Sequence, residues 1–254
     1  MSVFFGTQPP RTRFVTATGV IAVTVIAWAY LFFLAARMGA MGSPLSMPMT
    51  SAWTGGDIVL MWTMWTVMMI GMMMPSAVPM ITAYSATVRS RHATLRGSTP
   101  AFMIGYVGAW SGFAVIATTI QWMLHDATLV DPMGVSTSNA LGGLILVGAG
   151  TYQFTSVKGA CLKQCRSPLG FLLNAWRPGA RGAFVMGLHH GTFCIGCCWA
   201  LMGLLFVLGV MNLWWIALVA ALVLFEKIVP SVTLTRCIGA ALILWGTALV
   251  VGAG

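Results

Sequence analysis

The run GLHHGTFCIGCCWALMGLLFVLG, residues 187–209, places two imidazoles and three thiols inside an otherwise apolar stretch. On a helix advancing about 100° per residue, Met186, His190, Cys194 and Cys197 fall on one face. Cys198 flanks that stripe and His189 lies on the adjoining side. Thioether, imidazole and thiolate are soft or borderline ligands that suit Cu(I), Zn(II) or an iron–sulfur centre. A single cysteine would read as a small core hydrophobe. Several ionisable groups together at bilayer depth read as functional, so the spacing predicts a metal or redox site.

A second stretch, MWTMWTVMMIGMMMPSAVPM at residues 61–80, aligns Met61, Met64, Met68 and Met72 on one face, and Pro75 is placed to kink its far end. Methionine is also an ordinary core filler. The two runs are predicted to cross in opposite directions. At about 1.5 Å per residue, Met68 and Cys194 then both lie roughly 16 Å from their helix starts, near the midplane. Thioethers facing thiolates would favour Cu(I) over Zn(II), so copper is the expected metal and zinc the alternative.

Three further groups could serve such a site. Met38, Met41, Met47 and Met49 lie in a short segment that can collect Cu(I) without oxidisable thiols. His125 and Asp126 could add harder ligands. Cys161 and Cys165 stand at helical i, i+4 spacing among basic residues, fitting an accessory relay, and Cys237 lies near the start of the last apolar run. Glu226, in LVLFEKIVP, is expected deep in the bilayer, where a carboxylate needs a partner. Lys227, Arg236 or a histidine that it orients from outside the ligand shell are the candidates.

These residues need a membrane scaffold to position them. Of 254 residues, 59% are hydrophobic and 7% charged, with a mean hydropathy of +0.91; soluble proteins carry about 25% charged residues. Apolar runs at about 14–36, 57–82, 100–124, 139–157, 183–209, 211–229 and 236–252 predict an all-α polytopic protein with seven transmembrane helices. The first run is longer than a signal peptide's apolar region and reads as a retained helix. Residues 1–254 are expected to form a single transmembrane helical domain, because no intervening stretch is long enough to bury a core of its own. With the N-terminus inside, every Lys and Arg except Arg37 falls on the cytoplasmic side. The net charge of +9 then faces the anionic inner leaflet, and no nucleic-acid partner is implied.

The segments MMMPSAVPM (72–80), YQFTSVKGACLKQCRSPLGFL (152–172), GLHHGTFCIGCCWALMGLLFVLGVMNLWW (187–215) and VLFEK (223–227) resemble a bacterial family of uncharacterised "predicted metal-binding integral membrane proteins". The resemblance spans most of residues 57–250. It implies a multi-helix membrane protein that binds a metal, associated with copper handling, and identifies neither a reaction nor a ligand set.

Three functions remain open on these grounds. The first is Cu(I) binding in the bacterial inner membrane for copper transport, delivery or tolerance, with His190, Cys194, Cys197, Cys198, His189, Met68, Met72 and Met64 as ligands and Glu226 behind them. Cys161, Cys165, Met47 and Met49 would form the relay, and a cytosolic or periplasmic copper carrier or a membrane complex would be the partner. The second is a copper-dependent oxidoreductase acting on a lipophilic substrate. The third is a noncatalytic subunit whose metal only ties helices together. No GxxxxGK[ST] phosphate loop is present, which argues against an ATP-driven pump.

The charge partition yields a test of topology. Reporter fusions are expected to place the N-terminus and the Lys158–Gly182 segment in the cytoplasm and the C-terminus outside. A cytoplasmic C-terminal reporter would remove one crossing and undo the shared depth of Met68 and Cys194.

Overall fold

The computed structural model describes residues 10–38, 53–90, 98–131 and 135–252, and these are almost wholly helical. In chain order the helices are α1 (Pro10–Met38), α2 (Gly55–Ser90), α3 (Ser98–Asp126), α4 (Asn139–Tyr152), α5 (Ser156–Arg166), α6 (Pro168–Ala175), α7 (Gly179–Gly203), α8 (Leu205–Leu208), α9 (Leu213–Ile228) and α10 (Val232–Val251). Among the described residues the β content is one isolated bridge, Val130 to Ser136.

Five segments are long and apolar enough to cross a membrane: Ala17–Arg37, Gly55–Arg89, Ser98–Asp126, Gly179–Leu208 and Val232–Val251. A sixth exists if α4 and α5, which meet at 65°, are taken together. The sequence predicts seven, and the difference has local causes. The run at 139–157 breaks after Tyr152, where Thr155 starts a new helix by accepting the Lys158 N–H on its hydroxyl at 3.3 Å. The run at 211–229 yields the 16 residues of α9, about 24 Å of helix against roughly 30 Å of hydrocarbon.

The segment expected as a basic loop, Lys158–Gly182, instead forms α5 and α6 and folds back onto the bundle. α5 packs against α7 and α9, and α6 against α2. Lys158, far from lying in water, is 1% exposed. Phe171 of α6 packs its ring tilted against His189 and edge-on against His190 and Phe193 of α7. α2 runs unbroken through Pro75 and Pro79; Ser76 Oγ and Tyr106 OH both donate to the Met73 carbonyl, at 2.8 and 3.3 Å.

The most extensive helix contact is between α3 and α7. Two glycines permit it: a Cβ on Gly105 would overlap the Phe184 carbonyl, and one on Gly187 the Phe102 carbonyl. Close backbone approach at small residues is how membrane helices gain packing, because lipid already satisfies their apolar side chains. The outer surface is correspondingly apolar, with Trp214, Leu173, Ile26 and Leu144 among many large exposed side chains, a surface that fits lipid contact.

This interface sets a stability test on two glycines one turn apart. Gly105→Ala is expected to cost about 1–3 kcal/mol through overpacking, read as a lowered thermal midpoint in detergent. Gly108→Ala, whose Cβ meets nothing within 4 Å, should be neutral or stabilising by up to about 1 kcal/mol through helix propensity. Equal midpoints for the two variants would show that the α3–α7 approach is not tight at Gly105.

Candidate metal centre

α7 buries the face that its periodicity marks. Met186, His190, Cys194, Cys197 and Cys198 are all buried, whereas His189 is exposed and lies beside Phe171 and Phe193. Met186 Sδ accepts the Arg177 N–H at 3.2 Å, which ties it to the entry of α7. His190 sits among the rings of Phe102, Tyr106 and Phe171. Its Nδ1 is buried without a hydrogen-bond partner among the described residues.

The thiols meet neighbours from four other helices. Cys198 Sγ lies 3.9 Å from Met73 Sδ of α2. Cys197 Sγ lies 4.0 Å from Cys165 Sγ of α5. Cys194 Sγ is 2.9 Å from Lys227 Nζ of α9 and 3.0 Å from the Tyr106 hydroxyl of α3. Cys161 presses its Sγ against Gly196, so that a Cβ there would stand 2.7 Å from it. Cys237 is exposed.

Among the described residues, no three His, Cys, Asp or Glu side chains converge as a metal-holding group. The reason is visible in the helix. Cys197 and Cys198 both turn their thiols onto the Cys194 carbonyl, at 3.0 Å each. A thiol is a weak donor, and this back-bond satisfies it. A thiolate has no proton to donate, so metal binding by these sulfurs would release both back-bonds.

Met73, one position beyond the stripe read from the sequence, is a methionine that meets a cysteine. Met61, Met64, Met68 and Met72 are equally buried, and Met61 Sδ accepts from Gln121 of α3 at 4.0 Å. Periodicity identifies the faces of α2 but not which helix stands before each, and Met73 shares its side with Ser76. Met41, Met47, Met49 and the Met38 side chain lie outside the described residues. The His125 ring packs 5.6 Å from that of Trp53.

Glu226 corrects the expectation about its partner. Its Oε2 accepts from Lys158 Nζ at 2.7 Å in a pair whose side chains are 1% and 2% exposed; Lys227, Arg236 and the histidines do not take this place. Arg166 donates to the Glu226 and Val229 carbonyls, from Nε at 2.9 Å and from Nη2 at 2.9 Å respectively, covering a carbonyl that the end of α9 leaves open and sharing the next with the Ser231 N–H. Lys227, one residue on, turns inward to Ser76 Oγ at 2.8 Å as well as to Cys194. The sequence contains a signal for the ion pair: a deep carboxylate requires a cation, and Lys158 lies in a segment whose Thr155 cap predicts a helix.

Comparison with known families gives one finding. A family model described as PpoB2, copper chaperone, matches residues 62–249, about three-quarters of the chain. No curated protein and no solved structure matches it.

The buried pair supplies a second stability test. Glu226→Gln strands the Lys158 ammonium and is expected to cost about 3–5 kcal/mol, measured as loss of thermal midpoint in detergent. Replacing both partners, Lys158→Met with Glu226→Leu, should recover most of that loss, since removing a whole buried pair is often neutral. An unchanged midpoint in Glu226→Gln would show that the pair contributes nothing to the bundle.

Proposed function

Since the chain belongs to the PpoB2 family of copper chaperones, we propose that it holds Cu(I) on sulfur ligands within the membrane and delivers it to an acceptor. The observation that carries this reading is the pair of sulfur approaches across helices: Cys198 to Met73 at 3.9 Å and Cys197 to Cys165 at 4.0 Å. Two metal–sulfur bonds of about 2.3 Å, the length of a zinc–thiolate bond, reach roughly 4.6 Å end to end. Either pair can therefore close on one ion without moving a helix. Thiolate and thioether together select Cu(I).

In this reading Cys194, Cys197 and Cys198 of α7 form the centre of the site, Met73 supplies a thioether from α2, and Cys165 a thiolate from α5. The soft ion moves by ligand exchange, one sulfur bonding before another releases. Cys161 continues the row on α5 toward an acceptor, a copper carrier in the cytosol or periplasm or a partner complex in the membrane. His190, with its uncommitted Nδ1, is a further ligand, and Met64, Met68 and Met72 line α2 behind Met73. The chain forms one transmembrane domain in the bacterial inner membrane, with its N-terminus and basic segments cytoplasmic. It makes seven passes if α9 and the bent pair α4–α5 each count as one.

Metal binding to purified protein tests the proposal. The Cys197→Ser, Cys198→Ser double variant is expected to lower Cu(I) affinity by about 10-fold or more, since thiolates are the metal ligands. Met73→Leu conserves volume and should weaken Cu(I) while leaving Zn(II) affinity nearly constant. Parent-level Cu(I) content in the double variant would overturn the site.

A further inference from the structure

The copper reading leaves Lys227 unexplained. This side chain is half-buried and directs its ammonium into the bundle, between Ser76 Oγ and Cys194 Sγ. Among the described residues no carboxylate stands within ion-pair distance of it; the neighbouring Glu226 is committed to Lys158. A surface lysine near a helix end extends its stem to reach water. Lys227 instead brings a fixed positive charge against the thiol group.

Charge arithmetic in a low-dielectric interior then limits what the site can accept. Uncompensated charge is costly away from water. A single thiolate holding Cu(I) is neutral, and with Lys227 beside it the assembly carries +1. Two thiolates holding Cu(I) carry −1, which Lys227 cancels. Two thiolates holding Zn(II) are neutral, so the same ammonium leaves +1 uncompensated. We propose that Lys227 is a specificity-determining residue: its ammonium is the built-in counter-charge that fits the site to a monovalent soft cation on two thiolates, Cys194 among them and the remaining cysteines kept as neutral thiols, and disfavours a divalent ion on the same two.

Lys227 need not touch the metal. It acts on the charge of the loaded cluster from the position that the Ser76 hydroxyl fixes, and Tyr106 OH holds Cys194 from the opposite helix at 3.0 Å. The sequence places this lysine beside Glu226, where it reads as that carboxylate's partner. The structure separates the two along α9, sending Glu226 to α5 and Lys227 to the cysteines of α7.

The inference rests on the copper reading, and one set of measurements separates their failures. Cu(I) and Zn(II) affinities are measured by competition with chromophoric chelators on detergent-purified full-length protein, for the parent and for Lys227→Met, Lys227→Gln and Lys227→Arg. Removing the charge is expected to weaken Cu(I) by about 10-fold or more, as the loss of one nearby compensating charge predicts, while leaving Zn(II), neutral on two thiolates, nearly unchanged. Lys227→Arg, which keeps the charge, should restore the parent's preference. A Cu(I)-to-Zn(II) ratio unchanged in Lys227→Met and Lys227→Gln would overturn the counter-charge role, as would an equal loss of both metals, which marks a merely structural residue. Parent protein that takes up no Cu(I) would overturn the copper reading itself, and this inference with it.

Discussion

The ion pair between Lys158 and Glu226 is the contact on which the rest of the arrangement depends. It takes a segment rich in Lys and Arg, which by composition belongs in water, and fixes its first turn inside the bundle. Once Lys158 is held, the next two turns of α5 are laid along α7, and that alignment brings Cys161 to Gly196 and Cys165 to Cys197. Arg166 closes the other end of α5 on the carbonyls of Glu226 and Val229 where α9 ends. Three cations that would ordinarily be solvated are thus used at the end of one helix. Lys158 neutralises, Arg166 caps, and Lys227 meets a thiol.

The cysteine cluster depends on a different kind of contact as well. α7 can carry His190 and three cysteines on its buried side because α3 comes close enough, at Gly105 and Gly187, to cover that side with Phe102 and Tyr106. The methionines of α2 fill the remaining space, and their unbranched, adaptable side chains suit a core in which sulfur meets sulfur. Packing and chemistry therefore share residues: Tyr106 is a buried ring for His190 and a hydroxyl for Cys194 and Met73.

Much of this was legible in the residues. The apolar runs marked the long helices within a few positions except at the end of α2, which runs eight residues past its run to Ser90, and helical spacing marked the buried stripe of α7. What spacing could not reveal was which helix lies opposite a given face. Met68 and Met73 sit on different sides of α2, both apolar and both buried, and only the three-dimensional arrangement shows that Met73 meets Cys198. The fold of residues 156–175 was hidden for a related reason. Lysine and arginine are strong evidence for a solvated loop when counted singly, and that evidence misleads where a carboxylate 68 residues away is waiting. The shortness of α4 and α9 was obscured by apolar residues that continue past the helix ends.

That separation along the chain has a consequence for how the protein is made. Lys158 leaves the ribosome well before Glu226, and at roughly 5–20 residues per second the interval is about 3–14 s. During that time the Glu226 carboxylate that pairs with Lys158 does not yet exist, so the first turn of α5 cannot take its final place. The sulfur spacing between α5 and α7 is therefore completed only after α9 has been made.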